Sequence, residues 1–170
     1  MSYVTPSHLA EVPGARELAE VASTEHEAIV AAELMDLTLR GLARTAWSAA
    51  QVAAADEALA RINQVIAETD EFVDGYLARR YVLPLASVPK ILLGWARAIV
   101  RYRLHKNLRD DDRSNPVLRD YRDAVRFLEA VSRGEFSLGI NDPGAAEVGS
   151  GVQFGEANKV FGRDELGAFR

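Results

Sequence analysis

Cysteine is absent from the 170 residues. That removes disulfide staples, thiolate nucleophiles and zinc-finger-type sites together, and it fits a protein made in a reducing cytoplasm. Histidine is scarce: His8, His26 and His105 lie far apart and form neither a His-x-x-x-His nor a His-x-x-Glu-His spacing, so metal ligation is not expected. No run approaches ~18 apolar residues, and Met1-Ser2-Tyr3-Val4 opens no basic-then-apolar leader; neither a membrane span nor secretion is expected. A Gly-x-Ser-x-Gly elbow is missing. Gly149-Ser150-Gly151 with Gly155 is no phosphate loop, because no Lys-Ser/Thr follows. These absences predict a protein that is not an enzyme and carries no cofactor.

What is present is an ordinary globular composition, with 48% hydrophobic and 26% charged residues, enough for one core. The formal net charge of −5 is uneven: residues 81–110 carry a net +5, whereas the chain on either side is acidic. Such a split organises contacts between helices or subunits more often than it marks a DNA reader.

Helical signals dominate up to residue 134. Thr5-Pro6 reads as an N-cap and first-turn pair, Pro13-Gly14 ends that turn, and a second short helix covers 15–22. Thr24-Glu25-His26-Glu27 has capping-box spacing and predicts a helix from there to Gly41. Ser48 with Gln51 forms a second capping box, flanked by Trp47 and Val52. Val52, Ala55, Leu59, Ile62, Ile66, Thr69, Val73 and Tyr76 then follow at spacings of three and four, which predicts one long helix over 49–81. Val88, Leu92, Trp95, Ile99 and Tyr102 give a second stripe over 89–107. After the polar loop around Asp110-Asp111-Asp112, Asn115-Pro116 opens a third helix that buries Leu118, Tyr121, Val125 and Leu128 and ends at Gly134. Short connections between three amphipathic helices predict a mainly α, antiparallel bundle.

Past Gly134 the pattern dissolves, and eight of the twelve glycines lie between residues 134 and 170. The predicted organisation is therefore a helical bundle at 1–140, with its core at 49–134, and an extended tail at 141–170. Val152, Phe154, Val160, Phe161, Arg163, Leu166 and Phe169 are too many anchors for an idle linker. They predict a segment that orders on a partner, with a short β segment around Val152–Phe154 and aromatic anchors in pockets.

Charged residues on the helices admit sharper and blander readings. Lys90, Arg97 and Arg101 share a face that is either solvated, paired with the acidic helix of a neighbouring subunit, or set against DNA in a channel. Asp70 and Asp74, one turn apart, have acid–base spacing, but an exposed helix face explains them, as does a subunit interface or channel lining. The triple-aspartate run lacks calcium-loop spacing and reads as a solvated loop. A small helical DNA-associated regulator using the basic helix 89–107 is the alternative to a structural role.

An ordered set of motifs adds a family resemblance. Asp74-Gly75-Tyr76-Leu77, then Tyr81-Val82-Leu83-Pro84-Leu85, then Val88-Pro89-Lys90-Ile91-Leu92 and Arg101-Tyr102-Arg103-Leu104 resemble the head–tail adaptor, or head-completion, proteins of Mu-like tailed phages. The likeness continues through Tyr121-Arg122-Asp123-Ala124, Phe127-Leu128, Ser137-Leu138-Gly139 and the closing Val160-Phe161-Gly162-Arg163-Asp164-Glu165-Leu166; residues 23–50 are longer and richer in alanine than that family's pattern. The resemblance implies a virion protein of the neck: a ring of about twelve copies beneath the portal. It further implies a C-terminal segment docked on the portal protein, a second rim receiving the next neck or tail-completion protein, and genomic DNA passing through without specific binding.

Overall fold

In the computed structural model, residues 2–23, 28–105 and 115–140 are described. They form six α-helices: α1 Pro6–Leu9, α2 Ala15–Ala22, α3 Ala32–Leu39, α4 Ala49–Leu77, α5 Lys90–Leu104 and α6 Pro116–Arg133, with a π-helical turn Ala10–Gly14 between α1 and α2. No strand occurs among the described residues. The fold is mainly α, as the periodicity predicts.

Local chemistry sets the helix ends. The Thr5 hydroxyl accepts from His8 N–H at 3.4 Å and His8 Nδ1 accepts from Thr5 N–H at 3.3 Å, so histidine takes the reciprocal role usually held by glutamate. Val12 (φ −144°, ψ 117°) breaks the helical path ahead of Pro13, and Gly14 at φ 106° turns the chain into α2. Ser48 and Gln51 make the predicted capping box at the start of the 29-residue α4. The Asn115 side chain accepts from Val117 N–H at 2.9 Å at the start of α6, and Gly134 (φ 80°) closes that helix in the left-handed conformation.

Three boundaries differ from expectation. The helix predicted from Thr24 begins at Ala32, because residues 28–31 are not helical and Ala31 is extended (ψ 133°). There the extended path lets Val30 reach the core at 6% exposure while its N–H donates to Ser23 Oγ at 3.2 Å. Burying a β-branched side chain outweighs the few tenths of a kcal/mol per residue that separate alanine-rich helix from coil. Thr24 to Glu27 itself lies outside the described residues. Helix α4 stops at Leu77 rather than 81, since its last turn must release Tyr81 and Leu85 into the core ahead of and beyond Pro84. Helix α5 stops at Leu104, where His105 turns extended (ψ 95°) to meet a carboxylate.

One continuous core joins all six helices. Ala55, Ile62, Ile66 and Val73 of α4 meet Leu92, Ile99 and Val100 of α5 and Ala124, Leu128 and Val131 of α6. The N-terminal residues Tyr3, Val4, Leu9 and Leu18 close the same core from the other side. The long stripe of α4 is rotated from the predicted one: Ala58 and Leu77 are buried, whereas Val52, Leu59 and Tyr76 are half-buried. Successive buried positions follow 3.6 residues per turn, so over 29 residues the seam drifts away from any strict 3-4 alternation.

Candidate functional site

The N-terminal helices lay their carboxylates on the basic face of α5. Glu17 of α2 accepts from Arg101 in a fork, Nε to Oε1 at 2.5 Å and Nη2 to Oε2 at 2.7 Å. His105 Nε2 sits 2.9 Å from the same Oε1. Partial burial pushes the Glu17 carboxyl up, but the hydrogen bonds and charges of Arg101 and His105 outweigh it and hold the group below its ordinary 4.5. The hydrogen bond that Arg101 donates to Glu17 likewise raises the pKa of Arg101. One turn away Arg97 Nη2 donates to Glu11 at 3.2 Å. On the opposite flank Arg103 lies 3.9 Å from Glu68 and 4.9 Å from the centroid of the Phe72 ring. Lys90 alone of the predicted basic trio is exposed, with no ion-pair partner among the described residues. A freely solvated face is therefore corrected for Arg97 and Arg101; their charges are matched within the chain.

Asp70 and Asp74 are also corrected from an exposed helix face. Both are half-buried and hold the N-terminal segment: Asp70 Oδ1 accepts from Tyr3 N–H at 3.0 Å, and Asp74 Oδ1 accepts from the Tyr3 hydroxyl. Burial, the Asp74 hydrogen bond and the two carboxylate charges together push the Tyr3 hydroxyl well above its ordinary range. Of the five charges predicted together as an interface set, Asp70 and Asp74 hold Tyr3, Arg97 and Arg101 hold Glu11 and Glu17, and Lys90 has no ion-pair partner among the described residues. Glu11, Glu17 and Tyr3 escaped the sequence reading, because their partners lie 67 to 86 residues away.

The bundle's aromatic surface is elsewhere. The Trp95 and Phe127 rings stack at 5.5 Å, and Phe136 meets each edge-on at 5.9 Å. Phe127 remains 43% exposed at the mouth of a depression of about 500 Å³, lined also by Asp123, Arg126, Arg133 and Glu135. Only its place one residue off the Tyr121, Val125, Leu128 stripe hinted at this exposure. A second depression, about 510 Å³, lies between Ala32, Glu33, Asp36, Leu37 and Trp47.

No group of three or more His, Cys, Asp or Glu side chains with metal-holding geometry occurs among the described residues. None of the described helices is long and apolar enough to cross a membrane. Val152, Phe154, Val160, Phe161, Arg163, Leu166 and Phe169 lie outside the described residues, as does the Asp110-Asp111-Asp112 run.

Comparison with known proteins assigns a lineage. Residues 3–155 match the model of the family described as Bacteriophage Mu, Gp36. A relative from Haemophilus influenzae, the Mu-like prophage FluMu protein gp36, is 35% identical over 133 residues, covering 78% of this chain and 89% of that protein. Gene product J of Escherichia phage Mu is 34% identical over 114 residues, covering 66% of this chain and 77% of that protein.

Proposed function

Since the chain belongs to the Bacteriophage Mu Gp36 family, we propose that it is a structural, non-enzymatic virion protein: a head–tail connector that forms a ring beneath the portal. On this reading the helical body builds the ring and the C-terminal segment docks on the portal protein. The outer rim receives the next neck or tail-completion protein, and genomic DNA passes through without specific binding.

The observation that carries the proposal is the extent of the family match. It spans the whole helical body and runs fifteen residues past Ile140, into the glycine-rich segment that holds Val152 and Phe154. A shared segment without helical periodicity but with apolar anchors suits a role in binding rather than in building the fold. The internal pairing of Arg97 and Arg101 favours the connector over a DNA-associated regulator, since guanidinium groups engaged by Glu11 and Glu17 are not free to replace phosphate counterions.

The test is co-sedimentation of the full chain, and of a chain ending at residue 140, with a cognate portal. Full-length protein is expected to bind and the truncated one to fail, with both showing equal far-UV helicity. Portal binding undiminished by the truncation would refute the tail assignment.

A further inference from the structure

Two apolar faces stand at opposite ends of α4. The first comprises Val82, 80% exposed, Ile91 and Phe127, each 43% exposed, and the half-buried Phe136 beside them. Its position is fixed by Tyr81, whose hydroxyl accepts from Leu138 N–H at 3.0 Å just beyond the C-terminal end of α4. Ile91 lies one turn before Trp95 on α5, on the side where Trp95 stacks with Phe127. The second face comprises Ile29, 63% exposed, and Leu42, 52% exposed, with the half-buried Leu37 and Trp47, the last directly before the cap of α4. A 29-residue helix is roughly 43 Å long, so one molecule cannot bring the two together.

Their unpaired charges differ in net sign. Exposed Lys90 and Arg126 at the first face have no ion-pair partner among the described residues; Asp123 is the unpaired acid there. At the second face the exposed residues with no ion-pair partner among the described residues are Glu33 and Glu57, both acidic. The depressions beside Phe127 and Trp47 are of similar size, about 500 and about 510 Å³.

We infer that the occupant of each face is the other face of a second copy: the Phe127 end of one molecule docks on the Trp47 end of the next. Two different patches in contact make a heterologous joint, which propagates head to tail and closes into a ring when the rotation allows. Burial of Val82, Ile91, Phe127, Ile29 and Leu42 supplies the hydrophobic contribution, and Arg126 and Lys90 against Glu33 and Glu57 set the polarity of the joint. The inference rests on the ring reading above and names the surfaces that would build it.

The test uses full-length protein and its mass in solution as concentration rises. Wild type is expected to self-associate. Arg126→Glu and Phe127→Glu block the first face; Ile29→Glu and Glu33→Lys block the second. Arg126 and Glu33 are exposed and make no ion pair among the described residues, so their variants fold whatever becomes of the stacked Phe127 ring. Each variant alone is expected to need at least roughly tenfold more protein to associate. An equimolar mixture of Phe127→Glu and Ile29→Glu, whose altered faces both carry an added acid and cannot rescue one another, retains a single intact joint and should halt at dimers. Wild type that stays monomeric to its solubility limit overturns the inference. So does a variant from either face that assembles as wild type does, or a mixture that grows beyond dimers. A first-face variant that assembles normally but loses the portal would give that face to the portal instead. A ring that survives every variant removes only this pairing of faces, whereas a full chain that ignores the portal removes the connector reading itself.

Discussion

Replacing Glu17 by Gln should loosen the N-terminal helices from the bundle by an amount that depends on Arg101. The two forked hydrogen bonds are charge-assisted, a type that contributes about 1.5–3 kcal/mol each when well shielded. Both side chains remain roughly a quarter exposed, at 25% and 28%, so solvent screening reduces the pair to about 2 kcal/mol in total. For a body of this size that corresponds to a melting shift of roughly 4–8 °C. Urea titrations of wild type, Glu17→Gln, Arg101→Met and the double variant isolate the coupling from the separate contact of His105. The folded-state pKa of Glu17 lies below its ordinary 4.5. Its contribution is therefore complete above 4.5 and lost as pH falls through the lowered folded value. A coupling near 2 kcal/mol at neutral pH that fades in acid supports the clamp. A coupling below about 0.3 kcal/mol at neutral pH, or one indifferent to acid, would mean that the Glu17–Arg101 fork does not hold the N-terminal helices.

Other variants probe other layers of the fold. Ser48→Ala removes the cap of α4 and should cost about 1 kcal/mol in a urea melt. Gly134→Ala should destabilise by about 1 kcal/mol, since φ is 80° and the new Cβ would meet Arg80 Nη1 at 2.5 Å; a neutral melt would show that the α6 cap relaxes freely. Leu128→Ala, at a position with no exposed surface, should cost roughly 2–5 kcal/mol and lower the midpoint without changing the wild-type denaturant slope. Duplex DNA should show no salt-dependent binding even at low ionic strength; a steep salt slope abolished by Arg97→Ala with Arg101→Ala would revive the regulator alternative.

Elements set by local chemistry were legible from the chain. Ser48 with Gln51, Asn115 with Pro116, and Gly134 each announce a helix end through groups within three residues, and each stands where the spacing puts it. The α5 stripe was legible for the same reason at Leu92, Trp95 and Ile99, as apolar periodicity reports which face is buried; in α6 it held only for Leu118 and Leu128, since Tyr121 and Val125 are half-buried and Val117, Ala124 and Val131 fill the core instead. Periodicity does not report what covers that face. Arg101 and Asp74 read as open helix charges because Glu17 and Tyr3, their partners, are brought to them only by the closed core. The late start of α3 is a contest of the same kind, in which an alanine-rich sequence and a capping box favour helix while the burial of Val30 favours extension. Phe127 shows the converse. Its exposure follows from lying beside the buried stripe, but its stacking on Trp95 needed the packing of α5 on α6.

The proposed role is assembly, with the helical body as the unit and a portal as the platform. It is tested most directly by the mass of the cognate portal before and after mixing with excess full-length protein. The predicted result is a saturable gain of one closed ring, about twelve copies, on each portal. No gain in mass, or a gain that never saturates, would contradict it.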